Sequence, residues 1–154
     1  MKKIFLLISH GAMLGIGFSL GVYMLPILIA PESPSQVEVQ AQARNAVYQA
    51  RFMKDLAGSD FLHWAEGDVT LTDQVVTFMG EAAPGPDYKL YLAPSFVENE
   101  AQFLEVKAQS VQLGDVKTFD QFIVPLNGTN PDNYTTVVLW CETFGEFISA
   151  AQYR

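Results

Sequence analysis

The chain has 154 residues, of which 49% are hydrophobic and 17% charged, and its formal net charge at pH 7 is −8. This length suits one domain plus a short extra segment. Lys2 and Lys3 are the only charged residues among the first 30, so leaving out these two positive charges changes −8 to −10 for residues 31–154. So acidic a region offers no basic surface for phosphates, which excludes a nucleic-acid-binding domain. An aromatic content of 12% excludes a disordered chain.

Residues 1–30 are predicted to form a transmembrane signal-anchor helix. Residues 4–30 carry no charge and, as a helix, would cross the roughly 30 Å hydrocarbon core of a bilayer. Pro31 directly after Ala30 disfavours cleavage there, although removal as a signal peptide stays the alternative. By the positive-inside rule, Lys2 and Lys3 hold the amino end in the cytoplasm. We therefore expect a single-pass protein of the inner membrane whose carboxyl-terminal domain lies in the periplasm.

Four glycines in this segment are spaced as two G-x-x-x-G pairs, Gly11 with Gly15 and Gly17 with Gly21. Such pairs let two helices approach closely in lipid, and they predict a homodimer formed through this helix. The alternative is that glycine is simply common in membrane spans.

Residues 31–46 are predicted to be a linker or arm, and residues 47–154 a β domain. Short runs of alternating or β-prone residues begin near Tyr48, Asp68, Val75, Tyr88, Phe119 and Thr135, and turn residues such as Gly114-Asp115 separate them. This pattern predicts an all-β fold, an antiparallel β-sandwich or barrel of about 8–10 short strands. One helix is expected after Ser95, because Ser95 and Glu98 fit a capping box.

Four blocks of this domain carry a family resemblance. They are Phe61-Leu62-His63-Trp64 with Glu66-Gly67, Gly85-Pro86-Asp87-Tyr88 with the strand that follows, Gly114-Asp115-Val116-Lys117 leading to Pro125, and Val138-Leu139-Trp140-Cys141 with Phe144. Together they resemble the DM-thirteen domain, a small module found beside DOMON domains in animals and plants and alone in bacteria. The chain is similar to a bacterial, membrane-anchored form of it. The resemblance implies an all-β fold and an electron-transfer or redox role centred on a signature cysteine, with Gly85, Pro86, Asp87 and Trp140 as motif residues.

Cys141 is the only cysteine, so any redox chemistry carried by a thiol in this chain would use it. The same residue could serve as a cofactor ligand. Strand alternation, however, places its sulfur on an apolar face with Val137 and Leu139. A packed, inert cysteine is therefore the alternative.

His63 is the only histidine outside the predicted membrane helix, and with Cys141 it forms the candidate cofactor-binding pair. Non-covalent haem is a candidate cofactor, whereas covalent c-type haem needs a C-x-x-C-H motif that the sequence lacks. A strand histidine bonded to the backbone is the alternative. Asp87 is expected to cap a backbone amide in a turn, and no metal site is predicted.

Two functions remain open from the sequence. The first is a membrane-anchored periplasmic domain with an electron-transfer role through Cys141, acting with an unidentified redox or protein partner. The second is a non-enzymatic interaction, structural or small-ligand-binding β module. The sequence has no P-loop and no H-E-x-x-H motif, and a single exported histidine leaves little from which to build a hydrolytic triad. A non-enzymatic protein is accordingly favoured over an enzyme.

Overall fold

A computed structural model describes residues 1–154, which form three α-helices and eight β-strands. The helices are α1 (Lys2–Ile29), α2 (Gln36–Ala43) and α3 (Glu100–Val106). The strands are β1 (Tyr48–Phe52), β2 (Ala65–Leu71), β3 (Val75–Ala82), β4 (Tyr88–Ala93), β5 (Val111–Val116), β6 (Gln121–Pro125), β7 (Thr136–Cys141) and β8 (Glu146–Gln152).

The strands form two antiparallel sheets of four, in the orders β1-β2-β3-β6 and β5-β4-β7-β8. The fold prediction, an antiparallel β-sandwich with one amino-terminal apolar helix, is confirmed. Alternation produces the main core between the sheets: in β2, for example, Val69 and Leu71 are buried while Glu66 and Asp68 are exposed. Side chains from both sheets fill this core.

A second, smaller core lies on the outer face of the second sheet, under α3. Phe103 of α3 packs against Tyr91 of β4 and Trp140 of β7, with ring centroids 5.3 and 5.0 Å apart. Because β7 lies between two cores, all of its residues are buried. A strand buried on both faces has a continuous apolar run in its sequence, and Val137 to Trp140 form such a run.

Two local expectations were wrong. The helix after β4 is capped by Asn99, whose side chain accepts a 3.0 Å hydrogen bond from the Gln102 amide, and not by Ser95. Gly114-Asp115 lies within β5 rather than in a turn. There the register against β4 shifts, so that Leu113 is an extra residue, and a β-bulge accommodates the glycine.

Helix α1 is long and apolar enough to cross a membrane. Its last turns reach the β domain, where Pro26 is buried. The arm that follows is folded onto the first sheet: Ser35 and Glu38 form a reciprocal capping box that starts α2, and Val39 is buried beside β3 and β6.

Candidate functional site

Cys141 is the last residue of β7, at one end of the sandwich. Tyr88, the first residue of β4, lies directly opposite it. The cysteine is 3% exposed and belongs to the main core together with Val137 and Leu139, as strand alternation predicts. Its position at the end of the strand leaves it at the edge of that core.

Burial raises the pKa of the Cys141 thiol above its ordinary value, although hydrogen bonds from backbone amides of the following turn act in the opposite direction. The sulfur is therefore protonated at neutral pH. Because the thiolate is the nucleophile and the metal ligand, this burial disfavours the reactive form of the thiol.

The Gly85-Pro86-Asp87 motif forms the start of β4 beside Cys141. Gly85 lies against the Tyr88 ring: a Cβ atom at this position would be 2.3 Å from Tyr88 Cε1. Tyr88 is itself buried, and its hydroxyl donates a 2.8 Å hydrogen bond to the Ala83 carbonyl. Gly85 thus allows the tyrosine to pack close to the backbone next to the cysteine.

Asp87 fastens the turn that follows Cys141. Its carboxylate accepts hydrogen bonds from the Thr143 hydroxyl (2.9 Å) and pairs with the Lys89 ammonium (2.7 Å). Its backbone carbonyl accepts from the Glu142 amide at 3.0 Å. The expectation that the Asp87 side chain caps a backbone amide was wrong, because its partners are a hydroxyl and an ammonium from other parts of the chain.

His63 lies in the loop before β2, so the alternative interpretation, a strand histidine bonded to the backbone, was wrong. The Asp60 carboxylate organises this loop: it accepts from the amides of Leu62 (2.7 Å) and His63 (2.8 Å). The His63 Nδ1–H donates to the same carboxylate at 3.1 Å. Burial acts to raise the pKa of Asp60, but the hydrogen bonds from His63 and the two amides outweigh it and lower that pKa. With Nδ1 engaged, Nε2 is the nitrogen left for a ligand.

Cys141 and His63 line one groove of about 710 Å³. The β domain contributes Pro84, Gly85, Pro86, Tyr88, Leu62 and Phe144 to it, and seven residues of α1 between Gly15 and Tyr23 form the other wall. The structure therefore brings together four of the residues singled out in the sequence, Cys141, His63, Gly85 and Pro86. Most of the remaining lining is apolar.

Trp140 points away from this groove into the second core. Its ring lies 5.1 Å from the Lys107 ammonium, and its indole N–H has no hydrogen-bond partner. The sequence pattern gave no sign of the polar cluster beside it: Lys107 pairs with Glu142 at 2.8 Å, and the Tyr91 hydroxyl donates to the same carboxylate. No motif connects these residues, because they lie on three separate elements.

No group of three or more histidine, cysteine, aspartate or glutamate side chains is arranged to hold a metal ion. At the groove the side chains that could ligate a metal or haem iron are the Cys141 thiol and the His63 imidazole, and the lining also includes the hydroxyl side chains of Ser19 and Tyr23. The arrangement can hold an apolar molecule and offer it one thiol and one imidazole nitrogen.

A family model described as "Electron transfer DM13" matches residues 55–153. The matched range holds β2 to β8, α3 and every β-domain residue of the groove, and it leaves out α1, α2 and β1. No curated protein and no solved structure matches the chain.

Proposed function

Because the chain belongs to the electron transfer DM13 family, we propose that it is a membrane-anchored periplasmic electron-transfer domain in which Cys141 is the central residue. The observation that supports this proposal is the groove, because both His63 and the only thiol of the chain line it. The remaining domain surface offers no second cysteine with which to carry redox chemistry.

Thiol–disulfide exchange does not suit Cys141. A disulfide needs a second sulfur within about 2.05 Å, and this chain has one cysteine, which is buried. The same residue in a second copy could not approach without opening the core. We therefore assign Cys141 the role of a contact or ligand to an electron carrier bound in the groove.

The surrounding residues would prepare the groove for such a carrier. Tyr88 and Phe144 supply aromatic walls for apolar contacts with it. Asp60 fixes the orientation of the His63 ring through its Nδ1–H, so that Nε2 can bond to a polar atom of the carrier. Asp87 holds the turn after Cys141 in place through Thr143.

If the carrier were haem, Cys141 and His63 are the residues that would hold it, and the iron would supply one-electron chemistry. Ligation by Cys141 requires loss of the thiol proton, which burial opposes because it raises the pKa of that thiol. The donor set thus favours a carrier that binds through apolar contacts and hydrogen bonds over a metal centre.

The test is a visible spectrum and a redox titration of the full-length protein purified from membranes. The proposal predicts a redox-active absorption band that is lost in Cys141→Ala and in His63→Ala. Ser149→Ala, a change at a buried residue of β8 that does not line the groove, should keep the band. A colourless, redox-silent wild-type protein, in which Cys141→Ala costs only about 1 kcal/mol of stability, would instead identify an inert, packed cysteine in an interaction module.

The membrane anchor is tested separately, by fusing reporter enzymes after Arg154. Lys2 and Lys3 hold the amino end of α1 on the cytoplasmic side, so a reporter that works only in the periplasm should be active. Replacing both lysines by glutamate should weaken this orientation. An active cytoplasmic reporter on the unaltered chain would show the opposite topology.

A further inference from the structure

We propose that the Cys141 end of the sandwich inserts its loop tips into the membrane, so that the mouth of the groove beside Cys141 opens into lipid. This inference rests on the membrane anchoring of α1 in the proposed function. It adds which end of the β domain contacts the bilayer and how deeply that end inserts. It involves no redox step.

The contact between α1 and the β domain identifies the end that faces the membrane. Pro26, Ile29 and Pro31 share a cavity of about 290 Å³ with the segment Gly85–Lys89. This segment begins β4 at the end where Cys141 lies. The opposite end of β4, where Ala93 pairs with Thr136, points away from the helix end.

The length of α1 sets the depth of the groove. At about 1.5 Å per residue the helix is about 42 Å long, and the hydrocarbon core is about 30 Å thick. With Lys2 and Lys3 at one boundary, the other boundary falls roughly at residues 21–23. The stretch Ile16–Tyr23, which walls the groove, then lies within about the last 10 Å of the hydrocarbon, a depth that interfacial segments reach.

Three large apolar side chains of the domain are exposed at this level, next to the paired Asp60 and His63. Phe61 is 84% exposed, Phe144 53% and Leu62 39%. Leu62 and Phe144 line the groove itself, and Phe61 precedes Leu62 at the same loop tip. In water these apolar side chains would stay uncovered, whereas in lipid they are buried.

Irregular backbone in lipid must satisfy its own polar groups, and three amides of this loop do so. The Asp60 side chain accepts the amides of Leu62 and His63. The Asp60 amide in turn donates to the His63 carbonyl at 3.0 Å. In the turn between β7 and β8, which carries Phe144, the Gly145 amide donates to the Cys141 carbonyl at 2.9 Å.

Charge does not attract this domain to the membrane, so burial of its apolar side chains must hold it there. Residues 31–154 carry a net charge of −10, the −8 of the whole chain without Lys2 and Lys3, so anionic headgroups would repel the domain. Lys89 and Lys117, the cations nearest the helix end, are paired with Asp115. Insertion should therefore occur in zwitterionic lipid.

The experiment measures depth with a nitroxide label in full-length protein reconstituted in phosphatidylcholine vesicles. Cys141→Ala removes the native thiol, and Phe144→Cys or Phe61→Cys supplies a labelling site. The matched control is Phe96→Cys, an apolar residue, 38% exposed, that follows the far end of β4. Circular dichroism verifies that each variant is folded.

We expect labels at 61 and 144 to collide several-fold more with oxygen, which concentrates in lipid, than with a water-soluble nickel chelate. The label at 96 should show the reverse. Labels at 61 and 144 as accessible to nickel as the label at 96, in a chain that remains in the vesicle fraction, would overturn the insertion while leaving the anchor intact. Recovery of the chain in the soluble fraction would overturn the anchor and the insertion together.

Discussion

Gly85 affects the packing around Cys141 because it contacts the Tyr88 ring, and Tyr88 lies opposite the cysteine. Because a Cβ at this position would lie 2.3 Å from Tyr88 Cε1, Gly85→Ala must displace a buried ring. We expect a loss of about 1–3 kcal/mol of unfolding free energy, measured by urea denaturation, together with faster alkylation of Cys141. Gly114→Ala is the matched control, since its nearest neighbour, a Val124 methyl, is 3.4 Å away. Equal urea midpoints for the two variants would contradict this.

Lys89 makes the stability of the domain depend on pH in acid, through two carboxylates near Cys141. Its ammonium lies 2.7 Å from both the Asp87 and the Asp115 carboxylates, and these hydrogen bonds lower the pKa of both acids. A lowered pKa in the folded state contributes stability above the unfolded value, about 4, that is lost as pH falls. The melting temperature should therefore drop below about pH 4.

The control for this acid dependence is a pair of lysine substitutions. Lys89→Met should flatten the acid dependence, because it removes the partner of both carboxylates. Lys117→Met should change it little, since Lys117 is exposed and 3.6 Å from Asp115. Matching pH profiles for the two variants would argue against the role of Lys89.

Residue patterns in the sequence predict the burial of Cys141 but not the contacts between distant residues around it. Alternation along β7 is a local property, and it places Cys141 with Val137 and Leu139 correctly. The pairing of Thr143 with Asp87 joins residues 56 apart in the chain. Such partners depend on which strands become neighbours, and a single sequence does not specify that order.

The arm before β1 is a structural element of the β domain. Val39 of α2 is 1% exposed, although the family match begins only at residue 55. A domain that begins at Pro31 should melt at a higher temperature than one that begins at Val47, and Val39→Ala should cost about 2 kcal/mol. Val37→Ala, at an exposed position of the same helix, should have no effect. Equal melting temperatures for the two truncated domains would show that the arm adds nothing.

Strands with strong β propensity were predictable, and those that depend on packing were not. β2, β3, β4 and β7 match runs of alternating or β-branched residues. β8 contains Ser149, Ala150 and Ala151, which have little β propensity, and it forms because it pairs along β7. β5 contains Gly114, which suggested a turn in the sequence; in the structure it lies next to the β-bulge against β4.

At the scale of the whole molecule, the glycines of α1 face open space. A Cβ added at Gly11, Gly15, Gly17 or Gly21 would meet nothing within 4 Å. If a second copy packs there, Gly15→Ile and Gly17→Ile should each reduce dimerisation several-fold in a membrane two-hybrid assay. Leu14→Ile, at an exposed position of the same helix, should not. An unchanged signal in both glycine variants would return the four glycines to ordinary membrane-span composition.

The double burial of β7 also determines how the site can move. Its residues are covered by the main core on one face and by the α3 core on the other, and β4 and β8 bond both of its edges. We expect amide hydrogens in such a strand to exchange with solvent only when the whole domain unfolds. Cys141 would then end the slowest-exchanging strand of the protein. Any opening that admits a ligand to its sulfur must come from the loops that carry His63 and Phe144, or from α1.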